Sequence, residues 1–79
     1  MNLNHLQYFL ETCRYGSITK ASEVCHISQP SITAAINNLE KELGAKLFDR
    51  VNNRLRLTVV GEGFKDLTEE FLKTFDDYC

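Results

Sequence analysis

The residues equipped for chemistry in this sequence are hydrogen-bonding and cationic rather than nucleophilic. The stretch Ser28–Leu43, SQPSITAAINNLEKEL, sets Thr33, Asn37 and Lys41 four residues apart. At helical spacing they share one side with Pro30 and Ala34. That side is small and polar, with no bulky group and no carboxylate, so it can approach another molecule closely. Taken alone it also suits an ordinary solvated helix face. Gln29, at the start of the stretch, carries both a donor and an acceptor. Further on, Arg50, Arg54 and Arg56 gather within seven residues. The chemistry available is recognition by hydrogen bonds and positive charge.

Catalytic chemistry has no support. The sequence shows no paired carboxylates, no triad and no Gly-rich phosphate loop, so no enzyme is expected. Cys13, Cys25 and Cys79 are an odd number at no metal-like spacing, and no metal or cofactor is expected in this chain. Cys13 and Cys25 fall at core-like positions, where a free Cys acts as a small hydrophobe. Cys25-His26 has no second cluster to make it a nucleophile or a ligand. This cysteine usage fits a reducing cytoplasm. The apolar runs are too short to span a membrane, and Met1 leads into a periodic segment without a signal-peptide pattern. No membrane partner is expected.

The net charge of −2 argues against a polyanionic partner until its distribution is read. Residues 1–57 carry seven Lys/Arg and five Asp/Glu, and residues 58–79 carry two and six. Charges screen over about 8–10 Å in physiological salt, so an acidic tail can point away from what the basic part touches.

The elements that must position these groups follow from spacing. Leu3, Leu6, Phe9 or Leu10, and Cys13 predict a helix over 3–14, capped by Asn2 or Asn4 and closed at Tyr15-Gly16-Ser17. Tyr8 and Tyr15 suit the rim of the core, or stacking on bases. Ser17 caps a short helix over 18–25 whose inner face is Ile18, Ala21, Ser22 and Cys25; its small residues let another helix cross closely. His26-Ile27-Ser28 is a tight turn, with His26 solvated or facing a phosphate. Ser28 caps the next helix, Pro30 suits its first turn, and Gly44 suits its end. Ile32, Ile36, Leu39 and Leu43, with Ala35, form its buried stripe. Two helices joined by a three-residue turn are what a helix-turn-helix needs.

After Gly44, residues 48–51 and 54–57 read as a hairpin turned by Asn52-Asn53. This is a wing, or a plain hairpin with solubilising arginines. Thr58 caps a last helix with a stripe at Val60, Phe64, Leu67, Phe71, Phe75 and Tyr78. Gly61 and Gly63 there permit close backbone approach. Part of the stripe can pack on the first helix, and the rest meets the same stripe of a second chain.

Several fragments, all in register, resemble the N-terminal DNA-binding domain of LysR-type transcriptional regulators. Leu3-x-x-Leu6-x-x-Phe9-Leu10 is similar to that family's first helix. Gly16-Ser17-Ile18-Thr19-x-Ala21 and Ser28-Gln29-Pro30-Ser31-Ile32-Thr33 resemble its entries to the next two helices. Ile36-x-x-Leu39-Glu40-x-x-Leu43-Gly44-x-x-Leu47-Phe48-x-Arg50 and Leu57-Thr58-x-Val60-Gly61-Glu62 resemble the segments that follow. The likeness runs from residue 1 to about 72. Departures fall at Ser22, Cys25, Ala34 and Val60, and at Asn53, where the family has an arginine that Arg54 follows.

The resemblance implies a mainly α fold: a winged helix-turn-helix of three helices and a two-stranded wing, then a linker and dimerisation helix. The DNA-binding domain would span 1–58, with its helix-turn-helix about 18–37, and the linker helix 59–79. The implied function is sequence-specific binding of double-stranded DNA. Thr19 and Lys20 would lie near the backbone. Ser28, Gln29, Pro30, Ser31, Thr33, Ala34 and Asn37 would enter the major groove. Arg50, Arg54 and Arg56 would serve backbone and minor groove. A homodimer through Phe64, Leu67, Phe71, Phe75 and Tyr78 would read an inverted repeat. Family members are much longer, so the resemblance implies a fragment, with any small-molecule effector belonging to a missing C-terminal domain. A winged-helix protein-interaction module is the alternative.

Overall fold

A computed structural model describes residues 1–52 and 54–78. Its elements run α1 (Leu3–Tyr15), α2 (Ile18–Cys25), α3 (Gln29–Leu43), β1 (Phe48–Val51), β2 (Arg54–Leu57) and α4 (Val59–Asp77). This is the winged helix-turn-helix with a trailing helix. Asn53 of the expected turn and Cys79 lie outside the described residues.

Local chemistry sets the helix boundaries. Asn2, Ser17, Ser28 and Thr58 cap the four helices, each side chain accepting a backbone N–H of the first turn. Gly16 and Gly44 end α1 and α3 in the left-handed region, at φ 61° and 70°. His26 ends α2 in the same region at φ 59°, without glycine's freedom. Asn52 opens the wing turn at φ 53°.

Two buried clusters meet at Phe48. Leu6, Phe9, Leu39 and Leu47 form one, and Ala21, Ile32 and Ile36 the other; Phe48 packs on both. The Phe9 ring stacks at a tilt on Phe48 and Phe64, with centroids 5.6 Å and 5.3 Å apart. Because Ile32 and Ile36 are buried against Ala21, a helical period forces Thr33 and Asn37 outward. Ser22 is buried, but its hydroxyl donates to the Thr19 carbonyl at 2.7 Å and leaves no orphaned group. Thr12, fully buried in α1, likewise donates to Tyr8 O at 2.8 Å.

Some expectations about packing are corrected. Leu43 and Leu3 end their stripes half-exposed, because they stand at helix ends beyond the reach of the core. Tyr15 is also exposed, while Tyr8 packs at the rim as expected. The inward line of α4 is Gly61, Phe64, Thr68 and Leu72. Only Phe64 belongs to both this line and the stripe read from the sequence. The larger apolar residues mark the other flank, with Leu67 66% exposed. Of the two glycines, only Gly61 sits in a close approach: an added Cβ would collide with the Leu47 carbonyl and lie 2.9 Å from Leu57 Cδ2. Around Gly63 there is open space.

Candidate nucleic-acid interface

The α2–α3 turn aims the start of α3. His26 N–H and Ile27 N–H close α2 on the carbonyls of Glu23 and Ser22, at 3.3 and 3.1 Å. Ser28 Oγ then accepts from Ser31 N–H at 3.2 Å, and the two hydroxyls lie 2.8 Å apart. Ser28 and Ser31 are therefore engaged in the cap, although both remain exposed. Gln29, Pro30, Thr33, Ala34 and Asn37 present an exposed face with no carboxylate.

The structure brings five of the predicted residues around one polar cleft. Thr19, Gln29, Thr33, Arg50 and Arg54 line it, with Gly16, Ser17, Ile18 and Leu55. The starts of α2 and α3 both border this cleft. Their free N–H groups and dipoles add positive potential there. A second groove continues from it between α3 and the ribbon, lined by Thr33, Asn37 and Arg50 among others. Its far end meets Glu40, Lys46 and Asp49. No carboxylate of α4 lines either concavity among the described residues.

Other predicted residues stand apart from the cleft. In the antiparallel ribbon, Arg50 pairs with Leu55 and Asp49 with Arg56. Alternation puts Arg56 on the ribbon face opposite Arg50, across from a carboxylate. Arg54, at the turn, borders both the cleft and a concavity on the ribbon with Val51 and Arg56. Lys20 is exposed on α2 but does not line the cleft. Among the described residues, none of the three wing arginines is engaged in an ion pair.

Sequence reasoning gave no role to Glu40, which ties the end of α3 to the base of the ribbon. Its position in the Leu39-Glu40 pair before Gly44 was the available signal. Among the described residues, Cys13 and Cys25 offer no competing chemistry. Burial pushes the Cys13 thiol up to about 12, with Lys65 opposing. Burial, with Glu11 nearby, also raises Cys25. Neither is a thiolate near neutral pH. No group of three or more His, Cys, Asp or Glu residues among the described residues could hold a metal ion. No described helix is long and apolar enough to cross a membrane.

A paired-helix motif with an arginine-bearing ribbon beside its second helix defines a winged helix-turn-helix protein. Residues 3–62 match the bacterial regulatory helix-turn-helix proteins of the lysR family. The chain belongs to that family and forms its DNA-binding domain. It is 49% identical over 57 residues to the uncharacterized HTH-type transcriptional regulator YwbI of Bacillus subtilis, covering 72% of this chain and 19% of YwbI. It is 41% identical over 61 residues to the transcriptional activator protein LysR of Escherichia coli, covering 77% of this chain and 20% of LysR. The chain thus spans about a fifth of the length of these relatives. Its fold superposes on the BenM_DBD/catB site 1 DNA complex with a TM-score of 0.93 at 35% identity, covering 99% of this chain and 87% of that one.

Proposed function

We propose that this domain reads DNA sequence for a longer LysR-type transcriptional regulator, with the N-terminal end of α3 in the major groove. The observation that carries the reading is the cleft where Thr19, Gln29, Thr33, Arg50 and Arg54 converge at two helix starts. Gln29 pairs with adenine N6 and N7, and Thr33 bonds a base edge or touches a thymine methyl. Thr19 and Lys20 contact the backbone, where α2 crosses it. Ser28 and Ser31 hold the cap at the helix start, whose dipole favours phosphate. Pro30 and Ala34 allow close approach, and Asn37 reaches further along the groove. Arg50 and Arg54 follow the backbone toward the minor groove, and Arg56 contacts a phosphate from the outer ribbon face.

The exposed flank of α4 supports pairing of two chains. Leu67, Phe71 and Phe75 border an apolar groove with Met1, Leu3 and Leu6. Phe64 lines its floor, and Tyr78 extends the exposed line beyond it. Two-fold pairing through this face presents two copies of α3 to an inverted repeat. In the longer protein, a C-terminal domain would bind a small-molecule effector, and the regulator would act on bacterial DNA in the cytoplasm.

Selection of bound duplexes from a random-sequence pool tests the reading. The expected outcome is an enriched inverted repeat whose half-sites match two copies of α3. Recovery of unenriched sequence, with binding that persists at high salt, refutes it and favours a protein partner.

A further inference from the structure

We propose that Glu40 is a positioning residue that fixes the wing against the recognition helix, so that the ribbon arginines reach the same duplex as Gln29 and Thr33; this rests on the DNA-reading function proposed above. Glu40 stands in the last turns of α3, its side chain 12% exposed. Its Oε2 accepts from the Leu47 backbone N–H at 2.8 Å, and its Oε1 lies 3.8 Å from Lys46 Nζ. Its own backbone carbonyl accepts from Gly44 N–H and Ala45 N–H, at 2.8 and 3.2 Å. Glu40 therefore accepts from the N–H groups of Gly44, Ala45 and Leu47 in the link from α3 to β1, while the Thr58 hydroxyl donates to the Lys46 carbonyl at 2.6 Å.

The bond to Leu47 matters most. Leu47 is fully buried, so its N–H needs a partner, and a carboxylate acceptor makes the bond charge-assisted. The Leu47 carbonyl accepts from Thr58 N–H at 3.0 Å, where the chain leaves β2. Both ends of the ribbon are thus fastened at one residue, and Glu40 ties that residue to α3. A ribbon fixed at its base magnifies any tilt toward its tip. A four-residue strand is about 13 Å long, so a tilt of about 10° moves the turn by about 2 Å. That displacement is enough to break a hydrogen bond between Arg54 and a phosphate.

The test uses the chain with E40Q, E40D and E40A, each with and without R54A. Affinity for mixed-sequence duplex DNA is measured across a salt series. Gln keeps the reach and an acceptor, Asp keeps the charge one methylene short, and Ala keeps neither. The expected result is that E40Q stays within about twofold of the parent, with the same salt slope. E40D and E40A bind with a slope shallower by about one, and R54A costs much less in those backgrounds than in the parent. Thermal melts report folding, and if E40A fails to fold, the comparison of E40D with E40Q decides. A full R54A effect in the E40D background overturns the proposal, as does an E40Q variant as weak as E40D. If the parent does not bind duplex DNA, the DNA-reading function itself fails; if the parent binds but R54A leaves its salt slope unchanged, the wing takes no part and the Glu40 proposal is overturned while reading by α3 stands.

Discussion

Gly61 and Gly63 occupy the same helix two residues apart, and substitution by alanine should move stability in opposite directions. At Gly61 a Cβ runs into the Leu47 carbonyl and lies 2.9 Å from Leu57 Cδ2. The carbonyl is backbone and cannot rotate away, so the first turn of α4 must back off. Over-packing of this kind costs about 1–3 kcal/mol. Retreat also stretches the Thr58 N–H bond to Leu47 O, now 3.0 Å, worth about 0.5–1.5 kcal/mol. The better helix propensity of alanine returns about 1 kcal/mol. The net expectation for Gly61→Ala is a loss of about 2 kcal/mol, a large share of what so small a domain has. Gly63→Ala meets nothing within contact and should gain about 0.5–1 kcal/mol. Urea unfolding followed by circular dichroism, at one fixed protein concentration, reads both. With a slope near about 1 kcal/mol per molar urea, the midpoint should fall by about 2 M for Gly61→Ala and rise by up to about 1 M for Gly63→Ala. A Gly61→Ala domain as stable as the parent would refute the argument that α4 is seated by backbone contact with Leu47.

Other expectations follow from the same geometry. Arg54→Ala should weaken binding to all duplexes and make the salt slope shallower by about one, while Arg56→Ala, further from the turn and outside the cleft, should change it less; equal effects would contradict the cleft as the place where the ribbon meets DNA. Phe71→Asp should give monomers in sedimentation where the parent gives dimers, and two identical masses would contradict the α4 pairing surface. The Cys13 thiol, pushed up to about 12 from 9.0, keeps its proton in the folded state after the unfolded chain has lost it. Stability should therefore fall as pH rises from about 9 toward 12, and Cys13→Ala should remove part of that fall. A pH slope unchanged by the substitution would show that Cys13 is as solvated in the fold as in the unfolded chain.

The caps, turns and buried stripe of α3 were legible because each rests on local rules. Ser17, Ser28 and Thr58 precede periodic segments, and Gly44 follows one, so their roles need no tertiary knowledge. The inward line of α4 was less legible. Gly61 and Thr68 carry little hydrophobic signal, yet they are buried because the helix must sit close to Leu47 and α1. The larger Leu67 and Phe71 dominate the pattern from the other flank, where they are half or more exposed. In the candidate site, the face of α3 could be read from its period, since burying Ile32 and Ile36 leaves Thr33 and Asn37 outside. The facing of Arg56 could not, because it depends on a strand register that only the hairpin fixes. Glu40 was hidden for a related reason: its partner, the Leu47 N–H, is a backbone group and leaves no mark on side-chain pattern.

The central claim is that the start of α3 reads base edges, and Gln29→Ala tests it most directly. Binding sites selected from a random duplex pool by the parent and by the variant should differ at one position in each half-site. The preferred site should be weakened by about 1–3 kcal/mol while poor sites are little changed. A loss of equal size on every sequence, with the selected pattern unaltered, would make Gln29 a backbone contact and contradict the account.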